Sequence, residues 1–254
     1  MYVYSVVSTE SDVGMETTGI GDACVCVLSL GDIAAVVHQC APVPYTTENE
    51  QMAGEWVLTH HKVIEEATRR FGTVLPMRFN TIIKGDEHTV RQWLRKNYEM
   101  LKKELEEVRG RAEFGVQIFC DESTVEQRVL ENSPEISVLK QQMEKMPKGA
   151  GYLYERKLSQ HMKEHVSQEL EVLSKGFCET IGEHVERVKV DENVRVPDEY
   201  GDKRLVVSLS CLVHDDDIGK LGVVLDEIEE SGGVSVRFTG PWAPFNFVHL
   251  ECGE

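Results

Sequence analysis

Three short groups of residues in this sequence have types and spacing that could bind a metal ion. The run Asp215–Asp217 supplies three neighbouring carboxylates, which are ligands that divalent cations prefer. His61 and Glu65, four residues apart, would lie on one face of a helix, and Cys24 and Cys26 would lie side by side on one face of a strand. Each group could supply two or three ligands.

None of these groups forms a complete metal motif, and each has a structural explanation. Asp215–Asp217 precedes a predicted helix, where capping and the helix dipole favour acidic residues. His61 and Glu65 lack a third ligand at a fitting spacing, so a surface or hydrogen-bonded histidine is the simpler interpretation. The seven cysteines are odd in number and include no Cys-x-x-Cys pair, so we expect single buried thiols. We therefore predict no metal site.

Motifs for cofactors and catalysis are also absent from the sequence. Gly19-Ile20-Gly21 has the look of a phosphate-binding loop, but no third glycine and no helix start follow it at the required spacing. There is no Walker loop, no His-Glu-x-x-His and no Gly-x-Ser-x-Gly. We predict neither a cofactor nor a set of catalytic residues.

Charge and composition limit the partners of the chain. Its 254 residues carry 44 acidic and 27 basic side chains, and the formal net charge of −17 would repel nucleic acid and anionic membrane surfaces. No run of 18 apolar residues occurs, and the first residues lack the features of a signal peptide. For these two reasons we expect a cytoplasmic protein, and the 41% of hydrophobic residues predicts that it is globular.

The first part of the chain, residues 1–110, is predicted to form an α+β domain, in which helices and a sheet are mixed along the chain. Hydrophobic periodicity, helix caps and turn residues define its elements. They are strands at residues 2–7 and within 23–38, a helix that starts at a Thr47–Glu50 capping-box spacing, a strand over Gly72–Lys84 and a second helix capped by Asp86.

The second part, residues 111–254, is predicted to form a separate domain. Its pattern is strand, helix, strand, strand, helix, strand, which is the ferredoxin-like βαββαβ order. The first helical region is long and covers residues 123–186. The fold class is therefore α+β with two domains, and we expect them to be separable near residues 109–122.

Arg78 is an unusual residue within the predicted strand, because it lies between Met77 and Phe79. A charged side chain at this position must reach either water or a carboxylate partner. One interpretation is structural, with Arg78 holding a carboxylate near the domain surface. The other is that Arg78 contributes to a docking surface for a partner.

Aromatic residues near the end of the chain form a second candidate surface. Trp242, Phe245 and Phe247 follow the last predicted strand, and Pro241 and Pro244 stiffen the segment that carries them. They could cover a sheet edge or the seam between the domains. They could equally form an exposed docking surface, since aromatic side chains are common anchors in protein interfaces.

Two stretches of the sequence are similar to those of a known family. The run Gly72–Lys84, followed by Asp86-Glu87, and the later run Phe238–Phe247 resemble the two signatures of the gas vesicle protein GvpF/GvpL family. The two runs occur in the expected order and lie more than half the chain apart. The residues from 123 to 201 match the family in pattern but hardly in identity.

The resemblance implies a protein that is not an enzyme. It implies an assembly factor or minor shell-associated component, in the cytoplasm or on the gas vesicle, that binds the apolar shell protein GvpA and other accessory Gvp proteins. Under this interpretation Arg78, Trp242, Phe245 and Phe247 are the candidate partner-binding residues. A ferredoxin-like protein that binds or senses a small ligand is the alternative, and an enzyme whose site is invisible in the sequence is a third.

Overall fold

The computed structural model describes residues 1–134, 136, 138, 141, 151–192, 194–248 and 250. Within these residues the chain is an α+β protein with nine strands, arranged in two sheets, and five α-helices. This confirms the α+β part of the predicted fold class, while the division into two domains stays a prediction. The finer prediction of a ferredoxin-like second domain stays a prediction.

The first sheet has the strand order β2-β3-β4-β1-β5, and the strand pairs resolved in it are antiparallel. Two long helices follow its strands in the chain. The elements are β1 (Tyr2–Ser8), β2 (Val13–Thr18), β3 (Cys24–Leu30), β4 (Ile33–His38), α1 (Glu50–Phe71), β5 (Val74–Pro76) and α2 (Glu87–Glu107).

A β-bulge in β1 decides which side chains face each helix. The register with β4 shifts between Val3 and Ser5, so the alternation of side chains is interrupted there. As a result Val3 and Val6 enter the core that contains the apolar side of α2, while Tyr2 and Tyr4 enter the core that contains the buried side of α1. Both faces of this central strand are therefore buried.

The starts of the two helices are capped by short polar side chains. Asp86 accepts a hydrogen bond from the Thr89 N–H at 3.1 Å, as its N-cap position predicts. The predicted capping box at Thr47 is wrong, because Asn49 caps α1 and accepts from the Met52 N–H at 3.1 Å. Thr47 instead accepts from the Asn49 N–H within the preceding turn.

The second sheet has the strand order β7-β8-β6-β9. Along the chain its elements follow the predicted sequence of strand, helices, strand, strand, helix, strand. They are β6 (Arg111–Cys120), α3 (Glu122–Asn132), α4 (Gly151–Gly182), β7 (Arg187–Val190), β8 (Arg204–His214), α5 (Ile218–Glu230) and β9 (Val234–Trp242). Part of the predicted helical segment 123–186 lies outside the described residues.

The described chain divides into two compact units. The first comprises Met1–Glu113, Leu212–Asp215 and Gly240–Glu254, and the second comprises Phe114–Cys211 and Asp216–Thr239. The predicted boundary at residues 110 and 111 lies close to the first change of unit. The predicted domains assign residues 240–254 to the second domain, however, whereas the structure groups this segment with the first unit. Separability of the predicted domains stays a prediction.

Candidate functional site

The signature run after α1 is a short strand followed by an ordered loop. The prediction of one strand from Gly72 to Lys84 is wrong in length, because β5 ends at Pro76. The chain then leaves the sheet around Asn80, which has a left-handed backbone with φ of 67°. It meets β1 again at Ile82, which forms an isolated antiparallel bridge with Tyr2. Arg78 lies in this loop, between the end of β5 and Asn80.

The side chain of His60, on α1, anchors the loop through a hydrogen bond. Its Nε2 lies 3.0 Å from the carbonyl oxygen of Met77, which can only accept a hydrogen bond, so Nε2 carries the proton. In the neutral ring Nδ1 is then an acceptor, and it takes the hydrogen bond of the Tyr2 hydroxyl at 3.0 Å. The Tyr2 oxygen in turn accepts from the Asn80 N–H at 3.1 Å. Helix, strand and loop are thus joined by one chain of hydrogen bonds.

Asn80 also fixes the segment that precedes α1. Its Oδ1 accepts from the Tyr45 N–H at 2.8 Å, and its Nδ2 donates to the Tyr45 carbonyl at 3.1 Å. The side-chain amide therefore pairs with the Tyr45 backbone much as a neighbouring strand would. The Tyr45 hydroxyl lies 3.0 Å from Nε2 of His38, so the network continues into β4.

The network is uncharged at neutral pH. Burial lowers the pKa of His38 to about 4, and burial likewise lowers the pKa of His60 to about 4. Burial also raises the pKa of Tyr2 and of Tyr4 well above its usual range. Because these groups keep their neutral forms, the network positions the loop and supplies no charged acid or base.

Arg78 is exposed at the surface of this ordered loop. Within the described part of the chain no carboxylate lies within salt-bridge distance of its guanidinium group. The structural interpretation, in which Arg78 holds a carboxylate, is therefore not met by the described residues. The side chain is free to contact a partner, and its docking role stays a prediction.

The C-terminal aromatic residues differ in their exposure. Trp242 is 57% exposed, whereas Phe247 is 1% exposed and lies in the interior. Phe245 is half-buried, with its ring centroid 5.1 Å from that of His61. Phe247 therefore cannot contact a partner directly in this fold, which corrects its place among the predicted contact residues. Trp242 and Phe245 keep accessible surface.

A buried carboxylate holds the turn that carries these aromatic residues. Both oxygens of Glu113 accept hydrogen bonds from Asn246, one from its backbone N–H at 2.8 Å and one from Nδ2 at 2.6 Å. The N–H groups of Phe247 and Val248 both donate to the Pro244 carbonyl, at 3.1 and 3.2 Å, and close the turn. Phe245 is thereby placed against α1.

The structure shows one surface that the sequence analysis missed. Gly54, Val57, Leu58 and His61 form an exposed row on the outer side of α1. Their spacing of three, four and seven residues is itself a helical period, and it is visible in the sequence. The row is hard to recognise in the sequence because only two of its four members, Val57 and Leu58, are aliphatic.

The candidate metal groups show no site in the described residues. Among these residues no cluster of three or more His, Cys, Asp or Glu side chains could hold a metal ion. Asp217 instead accepts from Lys220 Nζ at 2.6 Å, in the first turn of α5. None of the described helices combines the length and apolar character needed to cross a membrane.

Comparison with known proteins decides the family. Residues 1–249 match the family described as "Gas vesicle synthesis protein GvpL/GvpF". The chain belongs to this family. The predicted resemblance is thereby confirmed over nearly the whole sequence, including the weakly matching middle. This family is named for gas vesicle synthesis and not for a catalysed reaction, so this GvpL/GvpF family member takes part in gas vesicle formation.

Individual relatives agree with this assignment. The chain is 33% identical to gas vesicle protein L1 of Halobacterium salinarum, over 97% of this chain and 89% of the relative. It is 33% identical to gas vesicle protein L of Haloferax mediterranei, over 94% of this chain and 74% of the relative. The crystal structure of GvpF from Anabaena has the same fold, with a TM-score of 0.75, 17% identity and coverage of 98% of both chains.

Proposed function

We propose that this protein is a gas vesicle assembly factor or minor shell-associated component that acts in the cytoplasm or on the vesicle. It binds the shell protein GvpA and other accessory Gvp proteins while the vesicle forms. The observation that carries the proposal is the family match over residues 1–249. The accessible Trp242 and Arg78, in the same compact unit, support a binding role.

The physical need for such a protein follows from the partner's chemistry. An apolar shell subunit exposes surface that aggregates before it is incorporated. A carrier with a net charge of −17 keeps a complex with such a subunit in solution through charge repulsion between complexes. Recognition then rests on apolar contact, with aromatic side chains as anchors. Trp242 and Phe245 meet this requirement, while the buried Phe247 supports their turn.

The test is a titration with GvpA held in solution as a fusion to a soluble carrier protein. The unmodified chain should bind, and Trp242→Ser combined with Arg78→Ala should weaken binding by about tenfold or more. Arg95→Ala is the matched control, because Arg95 is also an exposed arginine with no ion pair in the described chain. Circular dichroism should show that all variants are folded.

Two outcomes would count against the proposal. If the unmodified chain does not capture GvpA, the proposal that this protein binds the shell protein is wrong. If it instead gains thermal stability from a small metabolite in a ligand screen, the alternative of a ligand-binding or sensing protein is favoured. A normal affinity of the double variant would leave GvpA binding intact and move the contact away from Trp242 and Arg78.

A further inference from the structure

α1 carries two apolar rows that point in different directions. The inner row is buried against the first sheet and consists of His60, Val63, Ile64 and Ala67. The outer row consists of Gly54, Val57, Leu58 and His61, all of them exposed. At 100° per residue the centres of the two rows differ by about 120° around the helix axis, so the outer row cannot pack on the same sheet.

The outer row forms one apolar surface with a neighbouring aromatic ring. Leu58 is 70% exposed and Val57 is 38% exposed. The Phe245 ring lies 5.1 Å from the His61 ring and extends the row. Partial burial lowers the pKa of His61, so its ring is uncharged at neutral pH. Single exposed aliphatic residues are common, but a row of this period beside an aromatic ring has the pattern of a helix-binding face.

Glycine at the start of the row leaves the helix backbone open. A Cβ atom added at Gly54 would meet no other atom within 4 Å. Glycine within a helix is less favourable than alanine, because its backbone loses more conformational freedom on folding. At this position the glycine lets a second helix approach α1 closely, because side-chain size sets the interaxial distance.

One acidic residue lies beyond each end of the outer row. Glu50 precedes Gly54 by four residues, and Glu65 follows His61 by four residues, so each lies along the direction of the row. Both are exposed, and in the described chain neither has a cation within salt-bridge distance. A second copy of α1 would set glutamate against glutamate in either orientation, parallel or antiparallel. Lys62, four residues after Leu58, is also exposed, but it lies about 90° around the helix axis from the centre of the row. The charges in line with the row are therefore acidic, and they favour a different partner, with basic residues at these positions.

We propose that the outer row and Phe245 bind an amphipathic helix of the shell protein. This helix presents apolar side chains at i, i+3, i+4 and i+7, with Lys or Arg at both ends. The row extends over eight residues, from Gly54 to His61, or about 10 Å along the helix axis, which corresponds to two helical turns of the partner. The inference rests on the proposed function, since it locates the surface that contacts GvpA.

The first experiment places a charge in the row. GvpA on its soluble carrier is titrated against the unmodified chain, against Leu58→Glu and against Val172→Glu. Val172 is the matched control, because it is an aliphatic residue on α4 that is 64% exposed. Leu58→Glu should weaken binding by about tenfold or more, and Val172→Glu should leave it within about twofold. Both variants should unfold at the temperature of the unmodified chain.

The second experiment separates a helical partner from other occupants. Gly54→Ala should be tolerated, and Gly54→Leu should fold normally but weaken binding, because leucine separates the two helix axes. Glu50→Lys combined with Glu65→Lys should lower the affinity and reduce its dependence on salt. Equal binding by Gly54→Leu, or by the charge-reversed variant, would overturn the proposed helix with basic ends.

The proposed function and the proposed surface fail in different ways. If the unmodified chain binds GvpA and Leu58→Glu binds it equally well, the outer row is not the contact surface, and the proposed function stands. If the unmodified chain does not bind GvpA, the proposed function is wrong and the surface loses its partner. Only loss of binding in Leu58→Glu, with normal binding in Val172→Glu, supports the surface.

Discussion

The Tyr2 hydroxyl donates to Nδ1 of His60 at 3.0 Å, and this contact ties the first strand to α1 in a buried environment. The same hydroxyl oxygen accepts from the Asn80 N–H. A single phenol group thus satisfies a buried imidazole nitrogen and the backbone of the signature loop. Removing one member of such a network leaves the others unpaired away from water, which costs more than the hydrogen bond itself contributes.

Tyr2→Phe should therefore destabilise the protein by about 2 kcal/mol, since it leaves His60 Nδ1 and the Asn80 N–H without a partner. The measurement is urea unfolding followed by circular dichroism. Tyr200→Phe is the control, because the Tyr200 ring stacks on Phe119 and this stacking is retained. A Tyr2→Phe variant as stable as the Tyr200→Phe variant would show that water replaces the missing hydroxyl.

Substitutions of Asn80 should lower the stability of the protein in a defined order. Asn80→Gly keeps the left-handed backbone but loses both hydrogen bonds to Tyr45, so it should be less stable than the unmodified chain. Asn80→Ala also loses both bonds and adds about 1 kcal/mol of backbone strain, so it should be less stable again. Urea unfolding measures the series. Alanine more stable than glycine would contradict the requirement for a positive φ.

The two buried histidines should make the protein sensitive to mild acid. The pKa of each ring is about 4 in the folded chain and about 6.5 in the unfolded chain. Below pH 6.5 the unfolded chain therefore binds protons that the folded chain does not, and stability falls as the pH falls towards 4. From pH 7 to pH 5 the expected loss is about 2 kcal/mol for each ring, and stability is retained above pH 6.5.

Unfolding in urea at a series of pH values between 7 and 4.5 measures the slope of the free energy of unfolding against pH. His60→Gln should unfold more easily at pH 7 and show a smaller loss on acidification, because one of the two rings is gone. His88→Gln is the control, since His88 is exposed on α2 and should keep the full slope. A slope that is unchanged in His60→Gln would mean that other groups cause the acid sensitivity.

Elements with strong local signals were predictable from the sequence. The hairpin of β3 and β4 turns at Gly31, whose φ is 63°, and the Asp86 cap marks the start of α2. The order of strands and helices after residue 111 followed from periodicity alone. In each case the signal lies within a few residues of the element that it specifies, so no tertiary contact is needed to interpret it.

The candidate site depended on distant contacts, and the sequence could not supply them. The signature strand ends at Pro76 because the following residues pair with Tyr2, Tyr45 and His60. From the sequence, the aromatic residues near the end of the chain could lie either in the core or at the surface. The structure assigns Phe247 to the interior and Trp242 to the surface, and no local pattern distinguishes these two positions.

The difference in burial predicts opposite responses of these two aromatic residues. Phe247→Ala should cost about 3–5 kcal/mol of stability, because the side chain is almost fully buried. Trp242→Ala should change stability by less than about 0.5 kcal/mol, since the indole lies mostly in water. Thermal unfolding of both variants is the measurement. A small effect at position 247 would contradict its assignment to the core.

The C-terminal segment, residues 240–254, should stabilise the first unit even when a linker replaces the residues that separate the two in the natural chain. Ala243 and Phe245 pack against the core on the α1 side of the sheet, while Val248 belongs to the core on the α2 side. A fragment of residues 1–113 lacks all three contacts. Joining residues 240–254 to its end through a flexible linker should raise its stability by about 3 kcal/mol, from the apolar area of Phe245 and Val248.

Urea unfolding of the two fragments measures the difference in stability, and the same fusion with Phe245→Ser and Val248→Ser is the control. Equal stability with and without the segment would show that residues 1–113 fold independently of it, as the predicted domain boundary implies.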